Sequence, residues 1–135
     1  MLIEKRITIV KIRKQPKTGL NEDLQWIGSS LGLFGDRDKD KSCFRLFIEL
    51  LKAAKLGLPA SSDELAKQAN LSRGTIVHHL NRLIEFGIVV PYRKKYVLRE
   101  PHLEQLIEDL KKDTELFFNE IKKTAKEIDI ILEVN

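Results

Sequence analysis

The residues best equipped for chemistry lie in one stretch, SSDELAKQANLSRGTIVHHLNRLIEFG at 61–87. From Ser72 onward, Ile76, Leu80, Leu83 and Ile84 recur at helical spacing and supply a face to bury. The opposite face then carries Arg73, Thr75, Val77, His78, Asn81 and Arg82, and Gly74 permits close approach. This set mixes hydrogen-bond donors, an acceptor and small apolar groups. Such groups suit the major groove, where every base pair presents a distinct pattern of donors, acceptors and methyls. Ser72 reads as the N-cap, and helix N-termini meet phosphates. A shorter helix precedes it. Ser61 and Glu64 have capping-box spacing, and Leu65, Ala66 and Ala69 form its apolar face. Two short helices joined through Asn70–Leu71–Ser72 make a helix-turn-helix. The first, 61–70, supports; the second, 72–86, reads.

Other chemistries find less support. His78 and His79 point about 100° apart on a helix, so they do not form the i, i+4 pair of a helical metal site. His79 belongs beside the core and His78 outside. Cys43 is the only cysteine. It can form neither an intrachain disulfide nor a thiolate metal cage, and on an apolar-rich helix it reads as a small hydrophobe. No G-x-S-x-G, P-loop or H-E-x-x-H motif is present. No enzyme, metal site or cofactor is expected. Trp26 reads as a packing residue.

The elements that must position the reading helix follow from periodicity. Residues 3–12, IEKRITIVKI, alternate loosely and are rich in Ile and Val, which predicts a strand. Residues 13–19 read as a loop around Pro16. Asn21 caps a predicted short helix to about Leu31, with Glu22 and Asp23 in its first turn. The run DRDKDK at 36–41 is a solvated loop or a helix start. Phe44, Leu46, Phe47, Leu50, Leu51 and Ala54 mark a helix that ends at Gly57. Residues 88–99 read as two strands around a basic turn at Arg93–Lys95.

Pro101 suits the first turn of a last helix. Along it, Leu103, Ile107, Leu110, Thr114, Phe117, Ile121, Thr124, Ile128 and Ile131 recur at steps of four and three. This is a coiled-coil seam with threonines at two core sites. The helix is long for folding back on so small a body, so the seam predicts a homodimer. The fold expected is mainly α with a small β wing: an N-terminal strand and short helix (1–35), a winged helix-turn-helix (36–100) and a dimerisation helix (101–135).

The chain has 135 residues, 42% hydrophobic and 33% charged, a globular composition. Its formal net charge of +4 is unevenly spread. Residues 1–20 hold six basic residues against Glu4, and residues 72–99 hold six against Glu85, each a net of +5. Residues 100–135 hold ten acidic against five basic, a net of −5. Two basic blocks beside an acidic tail fit one surface facing a polyanion and one segment facing away, though short windows also cluster charge by chance. Residues 11–19, KIRKQPKTG, are either a second phosphate-binding arm or a flexible basic loop. Neither a membrane span nor a secretory signal is expected, and a cytoplasmic, nucleoid-associated protein fits.

The stretch LAKQANLSRGTIVHHLNRLIEFGIV resembles the DNA-binding core of prokaryotic winged helix-turn-helix regulators of the ArsR/MarR type. The matching features are Leu65-Ala66, Leu71-Ser72, Thr75-Ile76, His79-Leu80, Leu83 and Gly87-Ile88-Val89. The strands that follow, with Arg93, Lys94 and Lys95 at the tip, are similar to the wing. The resemblance covers about residues 42–99 and implies a recognition helix, a wing on the flanking backbone and a homodimer. It also implies that Ser72, Arg73, Thr75, Val77 and His78 face bases or phosphates. The paired cysteines of metal-sensing ArsR members are missing, and residues 1–35 lie outside the likeness. Double-stranded DNA is the expected partner. The alternatives are an architectural DNA-coating protein with little sequence preference and a winged-helix protein-interaction module. A cavity near Trp26, Leu33, Phe34 or the dimer interface is where an effector would fit, but no residue marks one.

Overall fold

Leu46, Phe47, Leu50, Leu65, Ile76, Leu80, Leu83 and Ile88 are each at most 1% exposed and form the centre of the core. They come from four successive pieces of chain. The structure, a computed structural model, describes all residues except 18, 36, 37, 39 and 135. Five helices and one hairpin follow in order: α1 (Leu20–Ser30), α2 (Ser42–Leu56), α3 (Ser62–Ala69), α4 (Arg73–Glu85), β1 (Val89–Tyr92), β2 (Lys95–Leu98) and α5 (Leu103–Val134). The chain divides into two compact units, Met1–Pro101 and His102–Asn135.

In the first unit α2 is the central post, packing against α3, α4 and β2. Its buried residues are Cys43, Phe44, Leu46, Phe47 and Leu50. The helix stops where Gly57 takes a left-handed conformation, φ 68°, and its N–H caps Ala53 and Ala54 carbonyls. Glycine adopts that backbone without the penalty a Cβ brings. The hairpin is antiparallel, with Val89 opposite Leu98 and Tyr92 opposite Lys95. Paired backbone hydrogen bonds between Ala60 and Tyr96, 3.0 and 2.8 Å, tie it to the entry of α3.

The N-terminal segment departs from the sequence expectation. Residues 3–12 form no β-strand. Their backbone bonds to the body run to two helix ends: Arg6 N–H to the Glu85 carbonyl (2.9 Å) and Val10 N–H to the Ser30 carbonyl (2.8 Å). A strand needs a ladder of successive partners, and a helix end offers one or two carbonyls. The segment is an extended strap. α1 is capped by Gly19 rather than Asn21, which lies inside the helix; among the described residues no side chain caps it. Glu22 and Asp23 do occupy its first turn. Phe34 follows α1 and sets its ring edge-on to Phe44 (5.4 Å) and Phe47 (6.0 Å). Of the charged run at 36–41, positions 36, 37 and 39 lie outside the described residues.

In the second unit α5 has 32 residues, about 48 Å at 1.5 Å per residue. Pro101 lies before the helix, not in its first turn. The first turn closes with Leu106 N–H on the His102 carbonyl, 3.0 Å. Leu116, Phe117, Phe118, Ile121, Ile128, Ile130, Ile131 and Leu132 are exposed along it. Thr114 returns its hydroxyl to the Leu110 carbonyl at 2.8 Å, which satisfies it within the helix. No helix among the described residues is long and apolar enough to cross a membrane.

Candidate nucleic-acid interface

Helix α4 owes its start to Ser72. The Ser72 hydroxyl accepts from Thr75 N–H at 3.1 Å and donates to Thr75 Oγ1 at 2.8 Å. Such a cap stabilises a helix by about 1 kcal/mol. Ser61 caps α3 in the same way, accepting from Glu64 N–H at 3.1 Å. Between the helices, Asn70 takes a left-handed conformation (φ 55°) that asparagine tolerates better than most residues. Leu71 is half-buried.

The turn has a clamp that periodicity did not reveal. Arg45, on α2, donates its guanidinium to the Ala69 carbonyl and to the Asn70 carbonyl, the latter at 2.9 Å. These are among the last carbonyls of α3, which have no partner within the helix. A cation there also favours the negative helix end. The one sequence clue was an arginine amid the apolar run CFRLF.

On α4, Ile76, His79, Leu80 and Leu83 are buried. Ser72, Arg73, Gly74, His78 and Asn81 are exposed, while Thr75, Val77 and Arg82 are partly covered. Ile84, assigned by periodicity to the buried stripe, is only half-buried. Arg73 lies 3.3 Å from Asp63, but both side chains are more than two-thirds exposed. A pair so open to water holds together by only about 0–1 kcal/mol. It leaves the guanidinium available to another acceptor.

His79 is inside, with its Nε2 2.6 Å from the Ser42 hydroxyl. Ser42 also donates to Asp38 Oδ1 at 3.1 Å, and that same oxygen accepts Cys43 N–H at 3.1 Å. With its one proton on Asp38, the hydroxyl accepts from His79 Nε2–H. Burial lowers the His79 pKa below its ordinary value, against the opposing pull of Asp38. Burial and Asp38 push the Cys43 thiol up to about 12.

The hairpin tip is basic. Arg93 and Lys94 both take positive φ, 49° and 64°, the signature of a two-residue type I′ turn. Arg93 lies over the Tyr92 ring at 5.3 Å, and Lys95 is 3.6 Å from Glu64 on α3. The Ala60–Tyr96 bridge ties this hairpin to the entry of α3, within the same compact unit as α4. No group of three or more His, Cys, Asp or Glu is placed to hold a metal among the described residues.

A short helix carried on a clamped turn, a longer capped helix with a polar outer face, and a basic hairpin define a winged helix-turn-helix. Residues 50–90 match the family model described as bacterial regulatory protein, arsR family. The matched stretch runs from the middle of α2 into β1 and contains the whole helix-turn-helix. The match covers less than half of the chain and supports a winged helix-turn-helix of the ArsR type, the fold of DNA-binding regulators. No curated protein and no solved structure matches the chain.

Proposed function

We propose that the protein acts as a homodimer that reads a specific double-stranded operator. In this reading α4 enters the major groove and the hairpin rests on the flanking backbone. The observation that carries it is the outer face of α4. Arg73, Gly74, His78 and Asn81 stand exposed on a helix that Ser72 caps, that packs on α2 and α3, and whose preceding turn is clamped by Arg45 of α2. Arg73 and Asn81 are suited to base edges, guanine and adenine respectively. Ser72, Thr75 and Val77 border that face, and Arg82 lies at its edge. Arg93, Lys94 and Lys95 are suited to phosphates.

Dimerisation rests on α5. Its seam residues Ile107, Phe117, Ile121, Ile128 and Ile131 are exposed, and Leu103 and Leu110 continue the same stripe half-exposed. A second copy covering that stripe removes large apolar side chains from water. Two recognition helices then read half-sites about 34 Å apart. Footprinting of the full chain on genomic fragments at physiological salt tests the reading. Protected half-sites spaced by about one helical turn are expected. Uniform coverage without a preferred site would overturn it and favour a DNA-coating role.

A further inference from the structure

The N-terminal strap is not explained by the fold. Residues 1–17 hold six Lys/Arg and one acid, Glu4, and nearly all are exposed. Exposed basic side chains repel one another and contribute little to holding the strap in place. What holds it is elsewhere: the two backbone bonds to helix ends, and the Trp26 indole N–H donating to the Ile12 carbonyl at 2.9 Å. The strap is therefore docked mainly through its backbone, with most of its basic side chains exposed. Lys14 lies over the Trp26 ring at 5.3 Å.

Its first anchor is informative. Glu85 follows Asn81 by four residues and His78 by seven, so it lies on the same outer stripe of α4. It is the only acid on that helix. A carboxylate there faces whatever polyanion α4 faces. Arg6 of the strap meets it, Nε to Oε2 at 3.1 Å, while the Arg6 N–H holds the Glu85 carbonyl. The strap thus cancels the one repulsive charge at the end of the recognition face. It then continues basic through Lys11, Arg13, Lys14 and Lys17.

We infer that the strap is a third DNA-binding element. Arg6 neutralises Glu85 beneath the phosphates, and Lys11, Arg13, Lys14 and Lys17 pair with backbone phosphates beyond the C-terminal end of α4. The inference rests on α4 being the DNA-reading helix. The other occupant with matching charge is an acidic protein surface, such as the −5 tail of a second copy, and the test separates the two.

The experiment titrates the full chain against a duplex carrying its footprinted site, from 50 to 200 mM salt. The variant Lys11→Gln/Arg13→Gln/Lys14→Gln/Lys17→Gln should shallow the slope of log affinity against log salt by about 0.9 for each phosphate no longer neutralised. Its hydroxyl-radical footprint should lose protection at the outer flanks and keep it at the half-sites. Arg6→Gln should weaken binding several-fold at 50 mM salt, and adding Glu85→Gln should restore it. Thermal unfolding of each variant reports whether the fold is kept. A wild-type slope and footprint in the quadruple variant would overturn the inference while leaving the recognition reading intact. The same result with a loss of dimer on sedimentation would assign the strap to the acidic tail of a second copy. Absence of any site-specific binding by the unaltered chain would overturn both readings together.

Discussion

His79 Nε2 lies 2.6 Å from Ser42 Oγ, so α4 is fastened to the first turn of α2 by a part-buried polar contact. His79 is 8% exposed, and its Nδ1 has no hydrogen-bond partner among the described residues. The site accommodates a neutral imidazole. A second ring proton meets no acceptor at Nδ1 among those residues, and a buried charge is costly.

This contact predicts acid sensitivity. The His79 pKa is lowered in the folded state by burial, so the unfolded chain binds the proton more readily. The stabilisation is complete above the ordinary value of 6.5 and is lost as pH falls through the lower folded value. Urea unfolding between pH 7.5 and 5 should show stability falling as pH drops, because the unfolded chain takes up this proton first. His79→Gln should be less stable at pH 7.5 and flatter across that range.

Cys43 should be chemically silent. It is 2% exposed, and its thiol is pushed up to about 12, so almost no thiolate exists at neutral pH. Ellman's reagent should react with the native protein no faster than the chain opens, and at once in urea. Prompt stoichiometric labelling of native protein would contradict the buried placement.

The hairpin tip should trade stability for binding. Arg93 and Lys94 hold positive φ values that Asn-Gly adopts more readily. Arg93→Asn/Lys94→Gly should raise stability by about 0.5–1.5 kcal/mol in thermal unfolding. The same variant should bind DNA more weakly, with the salt slope reduced by about 0.9 for each phosphate left without its cation.

Arg73 and Lys94 should fail in different ways. Arg73→Ala should cost about 1–3 kcal/mol on the operator and relax preference at one base position. Lys94→Ala should weaken all sequences alike. A binding-site selection with each variant distinguishes the two, and matching specificity profiles would argue against base contact by Arg73.

The α5 stripe should decide the oligomeric state. Phe117→Asp/Ile121→Asp places two charges about one turn apart on the seam and should give monomers on sedimentation, with helicity reduced. DNA affinity should fall far more than the monomer's stability, because two half-sites would no longer be bound as one.

The helix-turn-helix was legible because its signals are local. Ser61, Ser72, Gly57 and Gly87 punctuate the chain within a turn of the elements they bound, and Ile76, Leu80 and Leu83 repeat at the period of the helix they bury. Residues 3–12 misled for the same reason. Their Ile and Val content favours a strand, yet strand formation depends on a neighbouring ladder, and the body presents only helix ends there.

By itself, then, the sequence determined the order of the helices and hairpin, the exposed outer face of α4 and the charge of each block. Period, caps and composition act between near neighbours in the chain. Only the tertiary structure decided that Arg45 clamps the turn 24 residues away, that Ser42 meets His79 across 37, and that Arg6 meets Glu85 across 79. Such pairs leave no periodic trace, because each requires the packed core to bring distant residues within hydrogen-bond reach. The strap shows the consequence: its charge was evident from the start, but its place at the end of α4 came only with folding.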